Sequence, residues 1–153
     1  MSARILLADD HEIVLEGIRT ILARSGRDWE VCGEARNGQD AVEMVHNLKP
    51  DIAVLDVTMP GLSGLQAAQQ IARSEKGVRI LIFTMHEGEH LDAEVRETGA
   101  HGYVLKSQAA RDLARAIDYL LSGDTFYGAP PKVLEQKKDK SLRGPIMCSL
   151  LFA

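Results

Sequence analysis

A chain of 153 residues with 45% hydrophobic and 26% charged content can bury one sizeable core but is too short for two domains of average size, and its composition excludes a wholly disordered or fibrous protein. Its 18 Lys+Arg against 22 Asp+Glu give a formal net charge of -4, so no overall attraction draws it toward nucleic acid or an anionic membrane. Cys32 and Cys148 lack metal-ligand or CxxC spacing and read as reduced thiols, and the start MSARILLADD is neither a signal peptide nor a membrane span, which together predict a cytoplasmic protein.

In chain order, Arg4 to Ala8 is a short aliphatic run of strand length, followed by a helical stretch from Glu12 to Ser25 with Ile13, Ile18, Ile21 and Leu22 at helical spacing. Trp29 to Ala35 is a second strand and Asp40 to Leu48, with Val42 and Val45, a second helix. Ile52 to Leu55, Val78 to Phe83 and Gly102 to Leu105 are three further strands, each rich enough in Val, Ile and Leu to be covered on both faces. Helices are expected over Gly64 to Arg73, Glu89 to Thr98 and Gln108 to Leu121, the last with Leu113, Ile117, Leu120 and Leu121 on one side. Gly26, Gly99 and Gly123 fall where helices should stop, and Pro50 follows the end of another. Five strands alternating with five helices predict an α/β fold with a parallel sheet covered on both faces, because parallel neighbours need a crossover and a helix is the usual one. From Thr125 onward the strand-helix alternation ceases, and a Pro-Pro pair, a Lys-rich run and a short apolar end read as a linker or tail.

The acids fall at the strand ends. In an open parallel sheet, ligands bind beyond the carboxyl ends of the strands. The first strand ends in Ala8-Asp9-Asp10, the third in Asp56, the fourth in Thr84 and the fifth in Lys106, so three carboxylates, a hydroxyl and an ammonium are expected on one rim. Three clustered carboxylates repel one another unless a cation sits among them, and oxygen ligands alone favour Mg²⁺. Asp10 and Asp56 suit direct ligation, with Asp9 acting through water. Open coordination positions invite a phosphoryl group, Asp56 is then the nucleophile, Lys106 offsets charge on the transferring group and Thr84 hydrogen-bonds the product.

The segments ADDH at 8–11, LDVTMPGLSG at 55–64, FTMHE at 83–87 and GAHGYVLKS at 99–107 resemble receiver domains of two-component response regulators, in order, from about Ala3 to Gly123. The resemblance implies a flavodoxin-like doubly wound five-stranded sheet of order 2-1-3-4-5 with five helices, a receiver over 1–123 and a linker-like tail over 124–153. It implies Asp56 as phosphoacceptor, Asp9 and Asp10 as the acidic pair, the Thr58 backbone carbonyl as a further Mg²⁺ ligand, Thr84 and Lys106 as switch hydroxyl and phosphoryl-contacting lysine, and Tyr103 as an aromatic whose rotamer follows Thr84. The apolar run Ile52 to Leu55 then holds Asp56 rigidly at the rim, while Pro60-Gly61 and Gly64 keep the next loop tight. A sensor histidine kinase is the implied phosphodonor partner, and phosphorylation-promoted pairing, with a second copy or a related regulator, the implied response.

Plainer readings stand beside these. Asp10 alone is a good helix N-cap, Lys106 alone a solvated lysine, and Tyr103 half-buried packing. The five histidines share no spacing and read as surface or loop residues. Met59 and Met85 read as loop and rim packing, and Lys137, Lys138 and Lys140 as a solvated tail.

ADDH, FTMHE, HGYVLKS and GDTFYGAPPKVLEQ further resemble the LuxR-type (NarL-like) subgroup, in which a helix-turn-helix domain follows the receiver. After Lys140 only SLRGPIMCSLLFA remains, too short for that domain, so no direct DNA binding by this chain is expected and its output, in control of transcription, is expected to go through a protein-interaction surface. The chain is then either a stand-alone switch or a truncated relative of that subgroup able to pair with full-length regulators, and the apolar end Ile146 to Phe152 favours the second. Leu15 stands where the subgroup often carries Arg. A small Mg²⁺-dependent phosphohydrolase with an aspartate nucleophile is the alternative. Its relatives resemble DxDxT, and here Thr58 occupies the place of the second acid, so a switch rather than a turnover enzyme is expected.

Overall fold

The computed structural model describes residues 2–127. Six strands, β1 (Ala3–Ala8), β2 (Trp29–Ala35), β3 (Ile52–Asp56), β4 (Arg79–Thr84), β5 (Gly102–Leu105) and β6 (Phe126–Tyr127), form one parallel sheet of order β2-β1-β3-β4-β5-β6. Five helices connect them: α1 (Glu12–Arg24), α2 (Gly38–Leu48), α3 (Gly64–Ser74), α4 (Leu91–Thr98) and α5 (Ala109–Leu121). This is the flavodoxin-like arrangement, and it corrects the expected count of strands from five to six.

Strict alternation along the central strands explains the layering. Leu6, Ala53, Leu55, Ile80 and Ile82 point to one face, where α2, α3 and α4 cover them through Val45, Ile71 and Val95. Ile5, Leu7, Val54, Leu81 and Phe83 point to the other, covered by α1 and α5 through Leu15, Ile18, Leu113 and Ile117. A strand buried on both sides must be apolar at every position, which is why β3 reads as an unbroken run before its terminal acid. Leu15 is fully buried in the second layer, so its side chain belongs to the core rather than to the surface of α1.

The helix ends follow local chemistry. Ser63 and Gln66 form a reciprocal capping box at the start of α3, and Asn37 caps α2 by accepting from the Asp40 N–H. Gly26, Gly99 and Gly123 all adopt positive φ after their helices, and α2 ends on Lys49, itself left-handed, just before Pro50.

Some expectations are corrected. The N-cap position of α1 is His11, without a side-chain capping bond, so Asp10 is not the cap. His101 lies in the loop between α4 and β5 but is half-buried rather than on the surface, and its Nδ1 accepts the Ile80 backbone N–H at 2.9 Å. Met59 packs into the core from the loop after β3, as expected, whereas Met85 is exposed rather than packed at the rim. Cys32 is a free thiol. Cys148, the lysines at 137, 138 and 140 and the apolar end Ile146 to Phe152 lie outside the described residues.

Candidate functional site at the carboxyl edge of the sheet

Because all strands run the same way, their C-terminal ends form one edge, and register aligns them: Ala8 pairs with Leu55, Asp56 with Phe83, and Thr84 with Leu105. Asp9 leaves β1 with its backbone N–H on the Ala35 carbonyl. Asp56 is the last residue of β3, Thr84 the last of β4, and Lys106 opens a single 3₁₀ turn after β5. The five strand-end residues singled out from sequence are thus set side by side on one rim, and their burial differs sharply. Asp9 is 1% exposed, Asp56 4% and Thr84 0%, whereas the Asp10 side chain retains 30%.

Lys106 ties the acids together. Its Nζ lies 2.9 Å from Asp9 Oδ2 and 3.1 Å from Asp56 Oδ1, with the ammonium over the Phe83 ring at 5.8 Å from its centroid. Burial pushes the Asp56 carboxyl above the usual carboxylate range, and the nearby Asp9 charge adds to this. Lys106 and the Thr58 backbone N–H pull in the opposite direction without overcoming it. For Lys106, burial favours the neutral amine, yet its hydrogen bond to Asp9 and the charge of Asp56 outweigh burial and raise its pKa. One ammonium facing three carboxylates leaves the rim short of positive charge.

Asp9, Asp10, His11 and Asp56 each offer a ligand atom within 4.8 Å of one another. The donor set is three hard carboxylates and one imidazole, and its uncompensated negative charge fits a hard divalent cation. His11 is the member that sequence reasoning missed: its Nδ1 lies 3.1 Å from Asp10 Oδ1 and 3.3 Å from Asp9 Oδ1, and its backbone N–H donates to Asp9 Oδ1 at 2.9 Å. Its direct adjacency to the acidic pair was the available signal.

Two features keep the rim rigid. The Gly64 N–H donates to the Val57 carbonyl at 2.9 Å, and a Cβ at position 64 would collide with the Asp56 carbonyl oxygen, so only glycine lets the loop after β3 close so tightly onto α3. Thr84 Oγ1 accepts the His86 backbone N–H at 3.0 Å, fixing the start of the loop that leads to α4. Tyr103, on β5, sits half-buried on the α4 side of the sheet, its ring 6.2 Å from that of Tyr127.

A doubly wound parallel sheet with an aspartate ending its central strand, two acids after the first strand and a lysine after the fifth agrees with a match of residues 5–118 to the response regulator receiver domain family. The chain belongs to that family. The receiver is 40% identical over 122 residues to the response regulator UvrY of Escherichia coli K12, covering 80% of this chain and 56% of UvrY. It is 30% identical over 140 residues to GacA of Pseudomonas aeruginosa, covering 92% of this chain and 64% of GacA. A crystal structure of a LuxR-family two-component response regulator from Aurantimonas sp. SI85-9A1 superposes with a TM-score of 0.78 at 36% identity, covering 94% of this chain and all of that one. The chain therefore spans little more than half the length of UvrY and under two thirds of GacA. Among the described residues, no helix of the receiver is long and apolar enough to cross a membrane.

Proposed function

We propose that this chain is a cytoplasmic phosphorylation switch in which Asp56 accepts a phosphoryl group from a sensor histidine kinase and so alters a protein-interaction surface in the control of transcription. The observation that carries this is the placement of Asp56 at the end of β3, with the Lys106 ammonium 3.1 Å away and Asp9 and Asp10 beside it. The relatives support this reading, since UvrY and GacA are named response regulators and DegU of Brevibacillus brevis, 32% identical over 123 residues, a transcriptional regulatory protein. Pairing with a second copy or a related regulator belongs to the same proposal. The phosphohydrolase alternative loses ground, because the family match over 5–118 is to a receiver.

Asp10, Asp56 and the Thr58 backbone carbonyl would hold Mg²⁺, with Asp9 acting through water. The ion supplies positive charge against the phosphoryl oxygens. The Asp56 carboxylate attacks phosphorus in line with the bond to the donor nitrogen. That P–N bond breaks, its electron pair staying on the imidazole, and a P–O bond to Asp56 forms a mixed anhydride. Lys106 neutralises charge on the transferring group, so catalysis is positioning and electrostatics. The new phosphoryl oxygens then draw Thr84 and Lys106 inward, biasing the loop before α4, and Tyr103 follows Thr84.

The test is intact mass after incubation with acetyl phosphate and Mg²⁺, for the native chain and Asp56→Asn, with both samples run on size-exclusion chromatography. One phosphoryl group that requires Asp56 and Mg²⁺ is expected; labelling that persists in the variant places the site elsewhere. Release of phosphate from a small ester well beyond one equivalent per protein would restore the hydrolase reading.

A further inference from the structure

The strand β6 was not expected from sequence, and its environment gives it a purpose. Phe126 and Tyr127 pair in parallel with Gly102 and Tyr103, and the Phe126 N–H donates to the His101 carbonyl at 3.1 Å. A Cβ at position 102 would overlap the Phe126 carbonyl, so glycine there admits β6 to the sheet edge. The two side chains of β6 then face opposite layers. Phe126 is buried on the α5 side, edge-on to Tyr119 at 5.5 Å between centroids.

Tyr127 lies on the α4 side and is held by three contacts. Its ring is 6.2 Å from Tyr103, the Arg96 guanidinium sits 3.8 Å from its centroid, and its hydroxyl donates to the Ala100 carbonyl at 2.9 Å. Arg96 belongs to α4 and is itself oriented by Asp92, with Nε donating to Oδ2 at 2.9 Å. Thr84 accepts from the backbone of the loop that leads into α4. Tyr127 is therefore touched both by the aromatic proposed to follow Thr84 and by the helix that follows the Thr84 loop.

We infer that Tyr127 is where the phosphorylation signal is read, and that occupancy of Asp56 loosens β6 from the edge of the sheet through Tyr103 and Arg96. This rests on the reading of Asp56 as phosphoacceptor. Movement of Tyr103 removes one wall of the Tyr127 site, and a shift of α4 carries Arg96 off its face. A strand of two residues has few hydrogen bonds with which to resist. Phe126 and Tyr127 lie beyond the 5–118 family match, so release of β6 is a change outside the phosphorylation rim.

The test is amide hydrogen exchange by NMR on the full chain, comparing the Phe126 N–H with the Val54 N–H in β3 as an internal reference. In the native protein, acetyl phosphate and Mg²⁺ should speed Phe126 exchange at least fivefold with Val54 unchanged. Tyr103→Leu should speed it about as much without phosphate and leave under a twofold further response. Should Tyr103→Leu raise Val54 exchange as well, the surface variant Arg96→Met carries the test with the same expectation. Intact mass is taken on every sample. One phosphoryl group on Asp56 with Phe126 exchange within twofold of the free protein overturns the inference, as does native exchange at Phe126 in both variants. Absence of any phosphoryl group fails the reading of Asp56 instead, and the unphosphorylated variants still decide whether Tyr103 and Arg96 hold β6.

Discussion

The Lys106 ammonium sits 3.1 Å from the Asp56 carboxylate, reaching across from the strand two places away while its other hydrogen bond holds Asp9. One cation thus separates two buried acids, and removing it leaves them facing each other without compensation, the costly form of a broken buried pair. Lys106→Met should lose about 3 kcal/mol of stability and label with acetyl phosphate roughly 10²-fold more slowly, as when one preorganised donor is removed from a reacting centre. Asp56 would also hold its proton to higher pH, so the pH profile of labelling should move upward. Urea unfolding and labelling rates between pH 6 and 9 check both, and an unchanged profile would show that Lys106 does not set the charge state of Asp56.

The Asp56 pKa is raised by burial first and by the Asp9 charge second, so the folded protein binds this proton more readily than the unfolded chain. Stability from this group is therefore lost as pH rises from the ordinary carboxylate range through the folded value. Wherever it is ionised, this carboxylate destabilises the fold. Asp56→Asn should raise the midpoint of thermal unfolding by about 2–5 °C at pH 7.5, with a smaller gain at pH 4.5. Scanning calorimetry at the two pH values decides it, a lower midpoint at pH 7.5 being the contrary result.

Much of this site was legible because its chemistry is tied to strand ends. An aliphatic run of strand length that stops at Asp56, with Asp9, Thr84 and Lys106 ending three others, needs only the rule that parallel strands share an edge. What could not be read depended on long-range contact. β6 has two residues, too few for any period, and exists because Gly102 leaves room for it and Phe126 buries against α5. Nothing near His101 in sequence signals that the Ile80 N–H will point at its ring. Asp10 was a sound cap candidate, but α1 begins at Glu12, which shifts the cap to His11 and leaves Asp10 among the acids.

Gly64 carries a prediction of its own, because the atom that a side chain would meet is the Asp56 carbonyl oxygen and not a yielding side chain. Gly64→Ala must push α3 away from β3 or shift the end of the strand that positions the phosphoacceptor. Overpacking of this kind costs about 1–3 kcal/mol, and labelling of Asp56 should slow together with it. Gly77→Ala, where a Cβ meets open space, is the control and should label at the native rate. Equal labelling in both variants would show that the loop closure does not position Asp56.

His101 predicts an acid sensitivity away from the phosphorylation rim. Its Nδ1 accepts the Ile80 N–H at 2.9 Å, so the folded state needs that nitrogen unprotonated, and burial, then the nearby Arg79 charge, lower its pKa. The unfolded chain therefore takes up the proton first. Stability is complete above about pH 6.5, the ordinary histidine value, and is lost as pH falls from there through the folded value. His101→Asn offers an amide oxygen as an acceptor and does not titrate. Between pH 7.5 and 5.5 the native protein should lose about 1 kcal/mol more than this variant, the worth of one hydrogen bond, in urea unfolding. The contribution of Asp56 has the opposite sign but is common to both proteins, so it cancels in the difference, and equal losses would show that protonation of His101 costs the fold nothing.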